Sequence, residues 1–166
     1  ILPGDIQWHF IGHLQTNKVK YIAPYISLIH AVDSPRLLRE INKQALRHDR
    51  NIPCLLQLHV AQEETKFGFT TDECLSYLRT GEYNQLHGVS IAGIMCMATN
   101  TDNEERILKD FQQAKEFFLL CHKEFPDLAN TMQYRSWGMS DDYMLAISQG
   151  SNIVRIGSSI FGHRNY

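Results

Sequence analysis

The sequence predicts an α/β domain built on a parallel sheet. Six apolar, β-branched runs alternate with helical patterns along 166 residues. Strands that alternate with helices pair in parallel through right-handed crossovers. Hydrophobic residues make up 43% of the chain, enough for a real core. No linker or low-complexity tract divides it, so residues 1–166 are expected to form a single domain.

Ile6 to Ile11 reads as the first strand, followed by a short helical stretch that Pro24 ends. Leu28 to Val32 is the second strand. Ser34 then supplies an N-cap and Pro35 a proline at the first helical position, ahead of a stripe of Leu37, Leu38, Ile41, Ala45 and Leu46. Pro53 to Val60 is the third strand, and Thr70 with Glu73 forms a capping box for a helix running to about Arg79. Gly88 to Met95 is the fourth strand. Thr101 and Glu104 form a second capping box, and Ile107, Phe111, Ala114, Phe118 and Cys121 give the clearest amphipathic spacing in the chain. Thr131 to Trp137 is the fifth strand, Ser140 caps a helix that Gly150 stops, and Ile153 to Ile156 is the sixth.

Two architectures accommodate this order: an open doubly wound sheet, or part of a (β/α)8 barrel. The Rossmann fingerprint and the P-loop are both absent, which counts against the first. Length counts against the second, because a complete barrel takes about 200 residues or more. Periodicity does not separate them.

Composition excludes several function classes. The formal net charge is −2 and the pI is near 6.5, so neutralising a phosphate backbone is not the chain's main business and no nucleic-acid partner is expected. No run of about eighteen apolar residues exists, so no membrane span is expected. Cys54, Cys74, Cys96 and Cys121 show no C-x-x-C pairing or metal-ligand spacing with His. Reduced thiols and a cytoplasmic location are the expectation, with no metal site. The chain opens Ile-Leu-Pro-Gly-Asp, without an initiator Met or a signal peptide. That predicts a start inside a longer protein.

Three segments place polar groups at strand ends, where α/β folds bind ligands. The first is Trp8 to Lys18, where His9 either faces a ligand or is a buried, hydrogen-bonded histidine. The second is Trp137-Gly138-Met139-Ser140-Asp141-Asp142. Gly138 there permits positive φ or close approach, and the hydroxyl of Ser140 suits a cap or an anion. Asp141 and Asp142 are explained by the helix dipole alone. The third is Val154 to Gly162: Arg155 lies within an apolar strand, followed at once by Gly157, Ser158 and Ser159. Guanidinium, glycine backbone N–H groups and hydroxyls are what a phosphate monoester needs. A carboxylate partner for Arg155 is the alternative.

Together these segments are far more specific than any one. H-F-I-G-x-L-Q-x-N-K from His9 to Lys18, E-x-x-K-x-G from Glu63 to Gly68, G-M-S-D-D from Gly138 to Asp142 and V-R-I-G-S-S-I-F-G-x-R-x-Y from Val154 to Tyr166 occur in that order. They resemble the pyridoxal 5′-phosphate homeostasis protein family (YggS/PROSC type), related to the barrel domain of alanine racemase. The resemblance implies a (β/α)8 TIM barrel that binds pyridoxal 5′-phosphate (PLP) near the C-terminal rim of its strands, without established turnover. It implies that Arg155, Gly157, Ser158 and Ser140 hold the phosphate end, with Met139 beside them, and that His9 lines the pocket on the third barrel strand. Lys66 matches the family's second lysine, near the pocket mouth.

The chain departs from the family in one respect. The family's Schiff-base lysine stands on the first strand, with Gly-Glu-Asn-Tyr on the second, and neither is in this sequence. The first two barrel strands are therefore expected to be missing, and no residue is assigned a catalytic role. An open barrel of this kind is expected to be a piece of a longer product, or to close by association with another copy, since exposed edges invite pairing. The family is usually monomeric. The resemblance implies an intracellular PLP carrier or buffer that exchanges the cofactor with PLP-dependent apo-enzymes. The alternatives are a PLP-dependent racemase or decarboxylase, and a non-functional fragment.

Overall fold

A computed structural model describes residues 2–63 and 67–162. Its strands are β1 His9–Phe10, β2 Leu28–Val32, β3 Ile52–Leu58, β4 Val89–Cys96, β5 Tyr134–Met139 and β6 Ile153–Arg155. Its helices are α1 Val19–Ile22, α2 Pro35–Leu46, α3 Thr71–Arg79, α4 Glu104–Glu124, α5 Pro126–Ala129, α6 Tyr143–Ser148 and α7 Ser158–Phe161. Neighbouring strands are all parallel, and their spatial order is their sequence order.

That order separates the two architectures. A doubly wound sheet reverses its strand order at a switch point, whereas a barrel adds every new strand to the same edge. Helices cover only one face here. A large apolar cluster joins strand residues such as Ile29, Leu56, Ile94 and Trp137 to Leu38, Ile41, Leu78, Phe111 and Phe118 of the helices. The opposite face holds a smaller cluster, Leu28, Ala31, Leu55, Ala92 and Met95, drawn from strands alone. Helices outside and strand side chains inside define an open arc of a (β/α) barrel, with β1 and β6 at its edges.

The local signals hold where the chemistry is unambiguous. Ser34 Oγ accepts from Leu37 N to start α2, and Thr70 and Glu73 form the reciprocal box that starts α3. Leu46, read as part of the α2 stripe, is instead exposed. Strands β2 to β4 are buried on both faces, as parallel strands under helices are.

Several boundaries move, each for a physical reason. The first strand shrinks from Ile6–Ile11 to His9–Phe10, because it lies at an edge and pairs only with β2. The fifth shifts from Thr131–Trp137 to Tyr134–Met139. Thr131 and Met132 still donate to Leu128 O in a turn after α5, so the chain is not yet extended there. Tyr134 then enters the sheet against Gly93, where a Cβ would lie 1.9 Å from the Tyr134 carbonyl oxygen. Asn103, not Thr101, caps α4 by accepting from Arg106 N; the Thr101 hydroxyl accepts from Asn103 N instead. Ser140 does not cap α6, which starts only at Tyr143, and Asp142 Oδ1 accepts from Met139 N.

All four cysteines are free and buried, and burial pushes the Cys121 thiol up to about 12. Among the described residues no helix is long and apolar enough to cross a membrane, and no cluster of three metal-ligating side chains occurs.

Candidate functional site

Alternation along a strand sends successive side chains to opposite faces. While Trp137 points into the helical layer, its neighbour Ser136 points into the arc. There it meets His30 from β2, His9 from β1 and Arg155 from β6. His9 Nδ1 lies 3.1 Å from His30 Nε2, and His30 Nδ1 lies 2.8 Å from Ser136 Oγ. Arg155 Nη1 donates to the Ser136 hydroxyl at 2.9 Å and to the Ser136 carbonyl. Its Nη2 donates to the Cys96 carbonyl at 3.0 Å.

Carbonyl and hydroxyl acceptors thus compensate the burial of Arg155, and among the described residues its hydrogen-bond partners include no carboxylate. Burial lowers its pKa, opposed by Cys96 and Asp142. Burial also pushes His30 down to about 3, with the charges on His9 and Arg155 acting the same way. His9, nearer solvent, is lowered by burial alone.

A second group lies at the strand ends. Ser140 Oγ accepts from Gly157 N at 3.2 Å and from Ser159 N at 3.5 Å. Two N–H groups therefore converge on one exposed acceptor, leaving the Ser140 O–H to donate; backbone N–H groups that converge in this way suit an oxyanion. Gly138 makes this possible: its φ is +89°, and a Cβ there would lie 2.6 Å from Ala146 Cβ, so the chain can turn tightly under α6. Gly157 has no such need, since a Cβ would meet nothing within 4 Å.

Between the two groups runs a cleft of about 390 Å³, within the roughly 300–1,000 Å³ range of small-molecule sites. His9, His30, Met139, Arg155 and Gly157 line it, with apolar walls from Ile11, Met97, Ile153 and Ile156. Of the residues singled out from sequence, His9, Met139, Arg155 and Gly157 share this cleft. Ser140 is tied to its rim through Gly157 N, and Ser158 opens α7 one residue further on. The hydrogen bonds of Arg155 run to the inner chain, while Ser140 meets Gly157 N and Ser159 N at the rim. Lys66 and the closing Arg164-Asn165-Tyr166 lie outside the described residues. Among the described residues no lysine stands on a strand or lines the cleft.

Sequence reasoning missed His30 and Ser136. His30 was legible as a lone polar residue inside the otherwise apolar Leu28–Val32 strand, a position that costs free energy unless it meets a partner; Ser136, beside Arg135 in a mixed strand, carried no such signal. A larger recess of about 530 Å³ shares Met97 and Met139 but is lined by Asp102, Glu104, Asp141 and Asp142. Four carboxylates repel a phosphate dianion. Further along the first segment, His13 turns elsewhere: it contacts Asp33 at 3.0 Å and stacks on Phe67.

The family model for the alanine racemase N-terminal domain matches residues 4–165. A pyridoxal phosphate homeostasis protein of Aquifex aeolicus is 36% identical over 163 residues, covering 98% of this chain and 69% of its own length. One from Schizosaccharomyces pombe is 34% identical, with 99% and 68% covered. The chain thus spans about two-thirds of the relatives it matches. The PLP-bound structure of PipY from Synechococcus elongatus superposes with a TM-score of 0.85 at 29% identity, over 97% of this chain and 72% of that one. Alanine racemase of Clostridium difficile, at 17% identity and a TM-score of 0.73, covers 98% of this chain and 41% of its own; it shares the fold. The chain belongs to the pyridoxal phosphate homeostasis protein family, built on the alanine racemase N-terminal-domain fold.

Proposed function

We propose that this chain binds PLP in the cleft between the inner polar chain and the Ser140 rim, and serves PLP homeostasis without turnover of its own. The observation that carries this is the convergence of Gly157 N, Ser159 N and Ser140 Oγ at the mouth of a cleft whose floor holds Arg155 and His30. The donor set suits the group. Rim N–H groups and hydroxyls match a phosphate, the apolar walls match a pyridine ring, and the guanidinium and the two imidazoles match polar ring substituents. Relatives carry the homeostasis name, and a structural neighbour holds PLP.

When bound, PLP supplies an aldehyde that condenses with amines. The chain's own residues hold and shield it: Ser140, Gly157 and Ser159 take the phosphate oxygens, and Met97, Met139 and Ile153 exclude water from the ring. In the whole protein the proposed role is to buffer PLP and exchange it with apo-enzymes in the cytoplasm. Enzymes of the same fold, at under 20% identity, bear on architecture only.

Equilibrium dialysis with PLP, read by its absorbance, tests the reading. The chain should retain PLP, and pyridoxal lacking the phosphate should bind at least tenfold more weakly. Ser140→Ala should cost about tenfold, the scale of one hydrogen bond to a charged group. Equal retention of PLP and pyridoxal would sink the assignment.

A further inference from the structure

Four side chains inside the arc form one line of contacts, and the chemistry of its deep end sets the direction of each bond. A guanidinium can only donate. Arg155 Nη1 donates to Ser136 Oγ, so the single hydroxyl proton of Ser136 remains to be given. Among the described residues its acceptor is His30 Nδ1, at 2.8 Å. A neutral imidazole carries one N–H and one acceptor nitrogen. His30, held near 3 by burial and by the charges beside it, is neutral at pH 7. With Nδ1 accepting, its proton sits on Nε2 and is donated to His9 Nδ1 at 3.1 Å. His9 is in the same position: its Nδ1 accepts, so its proton sits on Nε2. That nitrogen has no hydrogen-bond partner among the described residues, and His9 lines the cleft.

We propose that His9 presents a fixed Nε2–H donor to the cleft, set from Arg155 through Ser136 and His30, and that this donor takes an acceptor atom of the bound ligand. His9 is then a specificity-determining residue. A ligand that places an oxygen acceptor against it is favoured, and one that places an N–H there is rejected, because two donors cannot pair. The ligand side of the proposal rests on the PLP reading; the direction of the chain does not.

Histidine side-chain nitrogen NMR on the ligand-free, isotopically labelled chain at pH 7.5 reads the tautomers directly. Both His30 and His9 should be Nε2–H. Ser136→Ala should release His9 into a mixture of tautomers, and Ser136→Thr should restore the single form. A His9 protonated on Nδ1, or one unchanged by Ser136→Ala, would overturn the proposal. PLP titration supplies the ligand arm. His9→Phe should weaken retention about fivefold, the worth of one net hydrogen bond. His9→Gln, whose amide can place an N–H near the Nε2 position, should recover most of the loss. Unchanged retention by His9→Phe, with PLP bound by the parent chain, would overturn the ligand arm. A parent chain in which His30 and His9 are both Nε2–H but which binds no PLP would overturn the cofactor reading and support the donor assignment.

Discussion

On its outer face the sheet meets the helices through a continuous apolar cluster, in which Ile94, Phe111 and Trp137 are fully buried. On its inner face five buried apolar side chains share the space with His30, Ser136 and Arg155. The same strands build both faces, one residue apart. The outer contacts gain from burial without direction and tolerate approximate shape. The inner contacts depend on every donor meeting an acceptor, because an unpaired buried polar group costs about 1–3 kcal/mol. One face is held by apolar packing, and the other carries a set of directed hydrogen bonds.

Four measurements would break or sharpen that contrast. The largest effect belongs to the outer face. Trp137→Ala should cost about 3–5 kcal/mol of stability, the range for truncating a large core aromatic, seen as a lower urea midpoint. A loss under about 1 kcal/mol would mean that the outer cluster is not the source of stability. Gly93→Ala comes next. It drives a methyl into the Tyr134 carbonyl, and the overpacking range of about 1–3 kcal/mol is the minimum expected. An unchanged midpoint would show that β5 does not enter the sheet at Tyr134.

The inner face should appear in the pH dependence. Its His30 titrates near 3 when folded against an ordinary value of 6.5, so below pH 6.5 the unfolded chain binds a proton that the folded chain refuses. Stability is therefore fully present above pH 6.5 and falls as pH drops toward 3. Thermal midpoints across that window should flatten in His30→Asn, whose side-chain oxygen can still accept from Ser136. Equal slopes in the two proteins would remove His30 as the cause. The smallest effect belongs to neither face. Arg39 pairs with Glu82 at the exposed surface, and Arg39→Ala should leave the thermal midpoint unchanged within error at physiological salt. A clear drop would show that surface charge rivals the core.

Much of this was legible in the chain. Alternating apolar runs and amphipathic stripes placed all six strands. Ser34 and the Thr70–Glu73 pair announced their helices, because a cap is a local bond between near neighbours in sequence. The motif order identified the family, and its segments led to His9, Met139, Arg155 and Gly157, which line one cleft. Signals failed where several local partners compete. Thr101 and Asn103 both offer a side-chain oxygen near the start of α4, and only the packed helix selects Asn103. Ser140 looked like a cap until its hydroxyl proved to serve Gly157 and Ser159 from the next strand-to-helix turn.

The sequence by itself determined the class of fold and the family, because those rest on period, local chemistry and motif. Only the tertiary structure decided that strands add in order around an arc, so that His9 and His30 from one edge region meet Ser136 and Arg155 from the other. His30 and Ser136 stand 106 positions apart in sequence and 2.8 Å apart in space. No local rule links them. The curvature of the sheet does, by turning alternate side chains of distant strands toward one interior.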